Sequence, residues 1–457
     1  MTRFARRSFM GAGLLGLGSV GLGLHRFPLA LADGEADRFF IFCYFAGGWD
    51  IVVGLDPRDP AVFTDAVVGD TRINTGYDRL QDPNLELGPD PRVQVADDVW
   101  FGPYIGDLAT HWQDLVVVRG MSMETLGHSG GRRRFITGKS TSGDSVRGSA
   151  ATTHLAALLG RNDDIPNLSV DLESFNLDQP AYASALRVAG VPDLLQALRP
   201  ENTVLNDDAK RQIAQLLSDA ANCPDARRSR LIREAEAARA GVDELVQAGL
   251  DAQFDFGATS PSMEATRLHY GIMGNGDSSL RSPEAQGALA VTAITSGVSR
   301  CVSVRVAGGL DTHQGNWATD QGPRQMRGFN VIARMIEDLK SREYRQSGTS
   351  WFDHTTIVGF SEFSRTSRIN GGGGRDHALT NACVVAGGPI AGGRIIGRSS
   401  DVGLAPFPTN LTTGLPDEGG EIIHPEHIHR ALLQDAGIVQ DVMDVRVNPL
   451  TAILRNA

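Results

Sequence analysis

Acidic and histidine side chains follow several short apolar runs of this chain, and their chemistry suits the binding of a metal ion. Asp50 comes shortly after the run Phe39–Phe45, and Asp311 and His313 come shortly after Cys301–Val306. Carboxylate and imidazole groups are common ligands of divalent cations in proteins. Because ligands of open α/β sheets bind beyond the carboxyl ends of the strands, this pattern predicts a metal site at one edge of a sheet.

Three further residues extend the same pattern. Glu362 ends a third apolar run, where an acid has to be paired, hydrated or metal-bound, and a nearby arginine such as Arg365 is the alternative partner. Asp376 and His377 follow the glycine run 371–374, whose backbone can approach a ligand closely. We therefore expect these side chains to meet the ones that follow the first two runs.

Each of these residues also has an ordinary structural explanation. Asp50 follows two glycines, where an aspartate often caps a turn. Asp311 and His313 are two positions apart and point the same way in an extended chain, but such pairs also occur by chance. The prediction of a metal site therefore rests on the joint occurrence of these residues at successive strand ends.

A glycine-rich turn that leads into a helix predicts a site for an anion. His128 and Ser129 open the segment 127–138, and Arg132 follows one turn later. Backbone N–H groups at a helix start and arginine side chains both bind phosphate or sulfate. The alternative is a solvated basic helix face, especially for the two arginines that come next.

The order of the predicted elements indicates an α/β fold. Strands are predicted at 38–46, 115–118, 167–170, 301–306 and 355–360, and helices at 127–138, 150–159, 282–297 and 323–340. Strands that alternate with helices are typical of a parallel sheet. Between about 200 and 256 the chain becomes rich in alanine, arginine, glutamate and leucine at helical spacing, which predicts a helical insertion.

Length and charge restrict the classes of protein to be considered. The chain has 457 residues, of which 41% are hydrophobic, enough for a large core. Domains hold roughly 100–200 residues, and we predict a single large domain over 33–457 with the helical insertion inside it. The net charge of −11 argues against a nucleic-acid-binding protein, which usually has a basic face.

The amino-terminal residues have the pattern of an export signal. The run Arg6–Met10 resembles a twin-arginine motif, and Met10–Leu24 is apolar but too short for an ordinary membrane span. Ala30–Ala32 offers a cleavage site. We predict a signal peptide over 1–32, export of the folded protein by the twin-arginine machinery, and a periplasmic or extracellular location without an integral membrane span. An uncleaved anchor is the alternative.

Taken together, these motifs resemble one family of exported bacterial proteins, catalogued as domain of unknown function 1501 (DUF1501). The motifs that carry the resemblance are the export motif, Gly47–Asp50, His128–Gly138, Leu310–His313, Ser361–Thr366 and Asp376-His377. The resemblance spans nearly all of the chain after residue 32. It implies the alkaline phosphatase-like fold shared with sulfatases, which is a mixed, mostly parallel sheet sandwiched between helices with a two-metal centre at one edge.

The resemblance also implies roles for single residues. Asp50 is similar to the aspartate that binds the second metal in this superfamily. Asp311 and His313 resemble ligands of the first metal, and His377 resembles a late histidine ligand that precedes a strand. Asp376, its neighbour, joins the expected set of metal ligands.

This sequence departs from the superfamily at two places. Glu362 stands where an aspartate begins a strand-end Asp-His pair, and Phe363 replaces the histidine of that pair. His128 falls where phosphatases have a serine nucleophile and sulfatases a cysteine, with Ser129 one residue off. Arg132 matches the arginine that follows the sulfatase cysteine.

The resemblance implies an exported metal-dependent hydrolase-like protein that acts on a phosphate or sulfate ester. One or two divalent ions, zinc, manganese or calcium, are expected as cofactors. Arg132 is expected to clamp the anion, and His128 to act as ligand, base or nucleophile. The alternative is a non-catalytic, metal-stabilised envelope or surface protein with a degraded hydrolase site, which binds an envelope polymer.

Overall fold

The computed structural model describes residues 37–143, 145–199, 206–224, 228–229 and 249–455. The described residues all lie in one compact unit. The predicted signal peptide, 1–32, lies outside the described residues, as does much of the predicted insertion at 200–256. No helix of the described segments is long and apolar enough to cross a membrane.

The core of the molecule is an 8-stranded sheet with two small sheets beside it. The strands are β1 Phe39–Phe45, β2 Val93–Ala96, β3 Val99–Phe101, β4 Leu115–Ser122, β5 Asn167–Val170, β6 Leu186–Val188, β7 Cys301–Ala307, β8 Thr355–Ser361, β9 Ser364–Arg365, β10 His377–Ala378, β11 Thr380–Gly387 and β12 Arg394–Ile396. The main sheet has the order β12-β4-β11-β8-β1-β7-β5-β6, while β2 pairs with β3 and β9 with β10. Within the main sheet β11 is antiparallel to both of its neighbours, and the other adjacent pairs are parallel. The predicted mixed, mostly parallel sheet is therefore confirmed.

The central strand β1 is buried on both faces, which explains why its sequence is apolar without alternation. Successive side chains of a strand point to opposite faces. Phe39 and Phe45 accordingly pack into one hydrophobic core, and Phe40 and Tyr44 into a second core on the other side of the sheet.

Helices cover both faces of the sheet, as the predicted sandwich requires. They are α1 Val68–Thr71, α2 His128–Thr137, α3 Ala151–Leu159, α4 Val191–Leu198, α5 Asp207–Asn222, α6 Asp251–Phe254, α7 Pro261–Tyr270, α8 Asp277–Leu280, α9 Pro283–Thr295, α10 Gly322–Ser341 and α11 Pro425–Asp435. A π-helical turn, Trp317–Gln321, leads directly into α10. Local signals set several helix ends: the Ser282 hydroxyl accepts a hydrogen bond from the Ala285 amide at the start of α9, and Gly138 ends α2 in a left-handed conformation.

The topology brings the predicted site residues to one edge of the sheet. Strands β7, β1 and β8 are parallel neighbours, so the segments that follow them meet at their shared carboxyl end. Glycines allow the necessary close contacts. A Cβ atom on Gly47 would lie 2.7 Å from the Asp311 amide nitrogen, and one on Gly131 of α2 would lie 2.2 Å from the Glu362 carbonyl oxygen.

Candidate metal centre

Three imidazole rings converge on one carboxylate oxygen at this edge. The Oδ1 atom of Asp311 lies 3.0 Å from Nε2 of His313 and 3.4 Å from Nε2 of both His128 and His377. The His313 and His377 Nε2 atoms are 2.9 Å apart. Ligand atoms of His128, Asp311 and His377 all lie within 4.8 Å of one another. Because metal–ligand bonds are about 2 Å long, atoms this close together can share one cation after small movements.

The other ring nitrogen of each histidine faces an acceptor from the protein. The Nδ1 contacts are His128 to Glu362 Oε1 at 2.8 Å, His313 to Asp376 Oδ1 at 2.9 Å and His377 to the Leu126 carbonyl oxygen at 2.7 Å. An acceptor at Nδ1 favours the tautomer that carries its proton there, which leaves the Nε2 lone pair free. Metal-binding histidines are oriented in this way in proteins. Each of the three rings can therefore present its Nε2 atom to a cation.

Glu362 is buried and lies behind His128, to which it is hydrogen-bonded, rather than at the centre of the cluster. Its Oε1 atom also accepts a hydrogen bond from the Gly47 amide at 2.9 Å, and its Oε2 atom accepts one from the Ser361 hydroxyl at 3.0 Å. Burial is the largest influence and raises the pKa of Glu362, but the hydrogen bonds from His128 and from backbone amides, together with the charge of His128, leave the pKa below its usual range. The hydrogen bond with Glu362 raises the pKa of His128.

Arg365 supplies the positive charge next to the carboxylate of Asp311. Its side chain is fully buried, and its guanidinium lies 2.7 Å from Asp311 Oδ1 and 3.3 Å from His313 Nε2. It also donates to the Gly48 carbonyl at 3.0 Å and the Arg375 carbonyl at 3.2 Å. Burial raises the pKa of Asp311, yet the hydrogen bond and charge of Arg365 lower it to about 2. Asp311 is therefore ionised and fixed at neutral pH.

The structure does not bring Asp50 into the histidine cluster. Its carboxylate is fully buried, with Oδ2 2.8 Å from the Trp317 indole nitrogen and 3.1 Å from Arg375 Nε. Oδ1 accepts a hydrogen bond from the Val52 amide at 2.9 Å. Arg375 is itself buried and donates to the carbonyls of 74, 75 and 366. A guanidinium thus stands beside Asp50 where the resemblance implied a second cation.

We expect Asp50→Asn to lower the free energy of unfolding by about 3–5 kcal/mol, because Arg375 would keep its buried charge without a counter-ion. Urea denaturation of the cation-free protein measures this loss. Cation stoichiometry at the histidine cluster should not change. The matched control is Asp401→Asn, whose side chain is 73% exposed and which should leave stability nearly unaltered. A stable Asp50→Asn variant that binds fewer cations would show that Asp50 is a metal ligand.

The two other residues predicted to bind the anion, Ser129 and Arg132, lie outside the group of side chains that surround Asp311. Ser129 follows His128 in the first turn of α2 and is half-buried. Arg132, one turn later, donates to Glu173 Oε1 at 2.9 Å and lines a separate cavity next to the cluster. The structure therefore pairs Asp311 with Arg365 and turns Arg132 towards the cavity. Sequence reasoning considered Arg365 only as a partner of Glu362.

The charges and donors of the cluster fit a divalent cation. Asp311, Glu362 and Asp376 contribute three carboxylates, and Arg365 offsets one of them. Oxygen and imidazole donors in this mixture suit zinc and other first-row metals. The residues that the structure describes thus offer one centre of ligands, with Glu362 and Asp376 behind the histidines that they orient.

Comparison with known proteins gives a family and distant structural neighbours. The model of a family described as "Protein of unknown function (DUF1501)" matches residues 92–414. No curated protein matches the chain in sequence.

Among solved structures, Ps i-CgsB in complex with k-i-k-neocarrahexaose is 9% identical, with 90% of this chain and 75% of that chain covered and a TM-score of 0.39. The alkaline phosphatase from the Antarctic bacterium TAB5 is 10% identical, with 89% and 100% covered and a TM-score of 0.34. The phosphonate monoester hydrolase of Agrobacterium radiobacter is 12% identical, with 88% and 74% covered and a TM-score of 0.29.

Proposed function

This chain belongs to the DUF1501 family, and from that premise we propose that it holds one divalent cation and hydrolyses a phosphate or sulfate ester. His128, Asp311 and His377 are the proposed ligands. The observation that carries the proposal is the convergence of three imidazole Nε2 atoms on Asp311 Oδ1, each ring held at Nδ1 by an acceptor.

A single cation is favoured over a pair by the surroundings of Asp50. Both of its carboxylate oxygens contact donors of the protein, and Arg375 already supplies the compensating positive charge. A second divalent cation there would stand beside a buried guanidinium, and like charges repel strongly where water is excluded. The proposed centre is therefore mononuclear.

His313 is the proposed base of the reaction. Because Asp376 accepts the proton of His313 Nδ1, Nε2 is free to take a proton from a water molecule at the cluster. Arg365 keeps Asp311 ionised and oriented beside it. A bound divalent cation supplies Lewis-acid polarisation of the ester oxygen and lowers the pKa of a water molecule.

The proposed reaction uses direct attack by water. Residue 128, which stands at the nucleophile position implied by the family resemblance, is a histidine held by Glu362 with its Nε2 atom turned towards Asp311. That placement serves coordination, and it leaves the ring without a role as a covalent nucleophile. The neighbouring Ser129 is not needed for this route.

One observation favours the non-catalytic alternative. His313 Nε2 lies close enough to Asp311 and His377 to complete a shell of four protein ligands. Structural zinc sites are closed in this way, whereas catalytic sites keep one position open. A closed shell would make the protein a metal-stabilised envelope or surface protein that binds a polymer.

The test is an assay of chelator-stripped protein that has been reconstituted with zinc, manganese or calcium. We expect hydrolysis of an aryl phosphate or an aryl sulfate with at least one cation, and none in the stripped protein, because the cation activates the water. Stoichiometry by elemental analysis should be one ion per chain. If every reconstituted form is inactive on both esters while the cation raises the unfolding temperature, the protein is the non-catalytic one.

We also propose that this activity belongs outside the cytoplasm. The support is the twin-arginine-like run Arg6–Met10 and the apolar stretch after it. Export in the folded state would let the cation be acquired before translocation, and the twin-arginine machinery would be the partner.

A further inference from the structure

The cavity that Arg132 lines is polar, has a volume of about 610 Å³ and lies next to the histidine cluster, along the same edge of the sheet. It lies beyond the carboxyl ends of β1, β5 and β6 and beside β7. Its charged and hydroxyl-bearing lining residues are Tyr44, Arg132, Asp171, Glu173, Arg187 and Arg305. The volume is in the range of about 300–1,000 Å³ that small-molecule sites occupy.

One of the arginines that line the cavity has no acidic partner among the described residues. Arg305 pairs with Asp171, and Glu173 accepts hydrogen bonds from Arg132 and Arg133. Arg187, exposed on the edge strand β6, has no carboxylate partner among the residues that the structure describes. An unpaired guanidinium at the wall of a cavity binds carboxylate, sulfate or phosphate groups in a two-pronged geometry.

We propose that this cavity binds a polyhydroxylated anion, such as a sugar acid, with its acidic group on Arg187. The other lining groups include both donors and acceptors of hydrogen bonds: the arginines donate, and the carboxylates of Asp171 and Glu173 accept. The apolar lining consists of short or aliphatic side chains, such as Leu172 and Val188. A ligand with hydroxyl groups around its periphery and one negative charge matches this lining, whereas a flat apolar ligand does not.

The cavity connects to the proposed reaction centre through two elements. His128 and Arg132 lie one turn apart on α2, and about 5–6 Å separates such positions. Tyr44, near the end of β1, lines the cavity together with Arg132. Burial raises the pKa of Tyr44, and the charge of Glu362, which holds His128, raises it further. This inference rests on the proposed function: the cavity would hold the alcohol part of the ester, and that part would be an acidic sugar.

The experiment is isothermal titration calorimetry of the chelator-stripped full chain with D-glucuronate, D-glucose and inorganic sulfate. We expect D-glucuronate to bind and D-glucose, which lacks the charge, to bind more weakly. Arg187→Ser should weaken D-glucuronate binding about 10- to 100-fold, as expected for loss of a hydrogen bond between charged groups. The matched control, Arg446→Ser, removes a side chain that is 82% exposed and should bind as the wild type does.

The proposal is overturned if D-glucuronate does not bind. It is also overturned if D-glucuronate binds to Arg187→Ser and to the wild type with equal affinity. Binding of inorganic sulfate as tight as that of D-glucuronate also overturns it, because the hydroxyl groups would then contribute nothing. Asp311→Asn separates this result from the proposed function: it should still bind D-glucuronate, since Asp311 does not line the cavity. If D-glucuronate does not bind in the cavity, cation binding and ester hydrolysis are still tested separately by their own assays.

Discussion

Replacement of Asp311 by asparagine is expected to abolish binding of the cation. Its Oδ1 atom contacts the Nε2 atoms of His128, His313 and His377, and asparagine retains the shape of the side chain but loses its charge. Loss of such a ligand should lower the affinity for the cation by more than the 10–100-fold that is typical of groups that only orient a ligand. Elemental analysis after gel filtration, and titration with zinc, measure the effect.

Two controls show whether the loss is specific to the ligand. Asp376→Asn removes the carboxylate that orients His313 and should have no effect or a smaller one of about 10–100-fold. Asp444→Asn, at a side chain that is 68% exposed, should bind zinc normally. Unfolding of the cation-free Asp311→Asn variant checks its fold, since Arg365 keeps its contacts with backbone carbonyls. Stoichiometric zinc in a folded Asp311→Asn variant contradicts the proposed centre.

Much of the fold could be predicted because it depends on local patterns. The buried strand β1 is a continuous apolar run, β7 and β8 are mostly apolar, and the start of α9 carries a serine cap followed by proline. Their parallel order places the segments that follow them at one edge. The meeting of Asp311 with His377 follows from that order together with the glycine run before β10.

The surroundings of the site residues could not be predicted in the same way, because they depend on partners far away in the chain. Asp50 has the local sequence of a strand-end ligand, but Trp317 and Arg375 arrive from 267 and 325 positions further on and use its carboxylate. Nothing near Arg365 in the sequence indicates that it reaches Asp311 rather than Glu362.

The direction of Arg132 shows a second limit of sequence reasoning. A residue four positions after His128 lies on the same face of α2 but about 6 Å further along its axis. That displacement carries the guanidinium past the histidine cluster to Glu173, which comes just after β5. The spacing of four residues fixes the shared face, whereas the partner of Arg132 depends on which strand end lies opposite that turn of the helix.

We expect His313→Gln to lower kcat for ester hydrolysis by about 10²–10⁴, the usual contribution of a positioned general base, while the cation stays bound. The ring is held by Asp376 and its Nε2 atom lies 3.0 Å from Asp311 Oδ1, within reach of water at the cluster. Glutamine keeps a polar side chain of similar length but cannot accept a proton at neutral pH. Steady-state kinetics on the zinc-loaded variant, with the metal content of the same sample, measures both quantities.

The two roles open to His313 predict different pairs of results. If His313 is the base, His313→Gln lowers kcat strongly while the variant keeps its full metal content. A fourth ligand gives a fall in metal content that accounts for the fall in activity. The matched control is His354→Gln, which precedes β8 at the opposite edge of the sheet and contacts Thr349 and the Asp37 carbonyl. The His354→Gln variant should retain both metal and activity. A loss of metal in His313→Gln alone would then identify His313 as a fourth protein ligand of the cation, which favours the non-catalytic alternative.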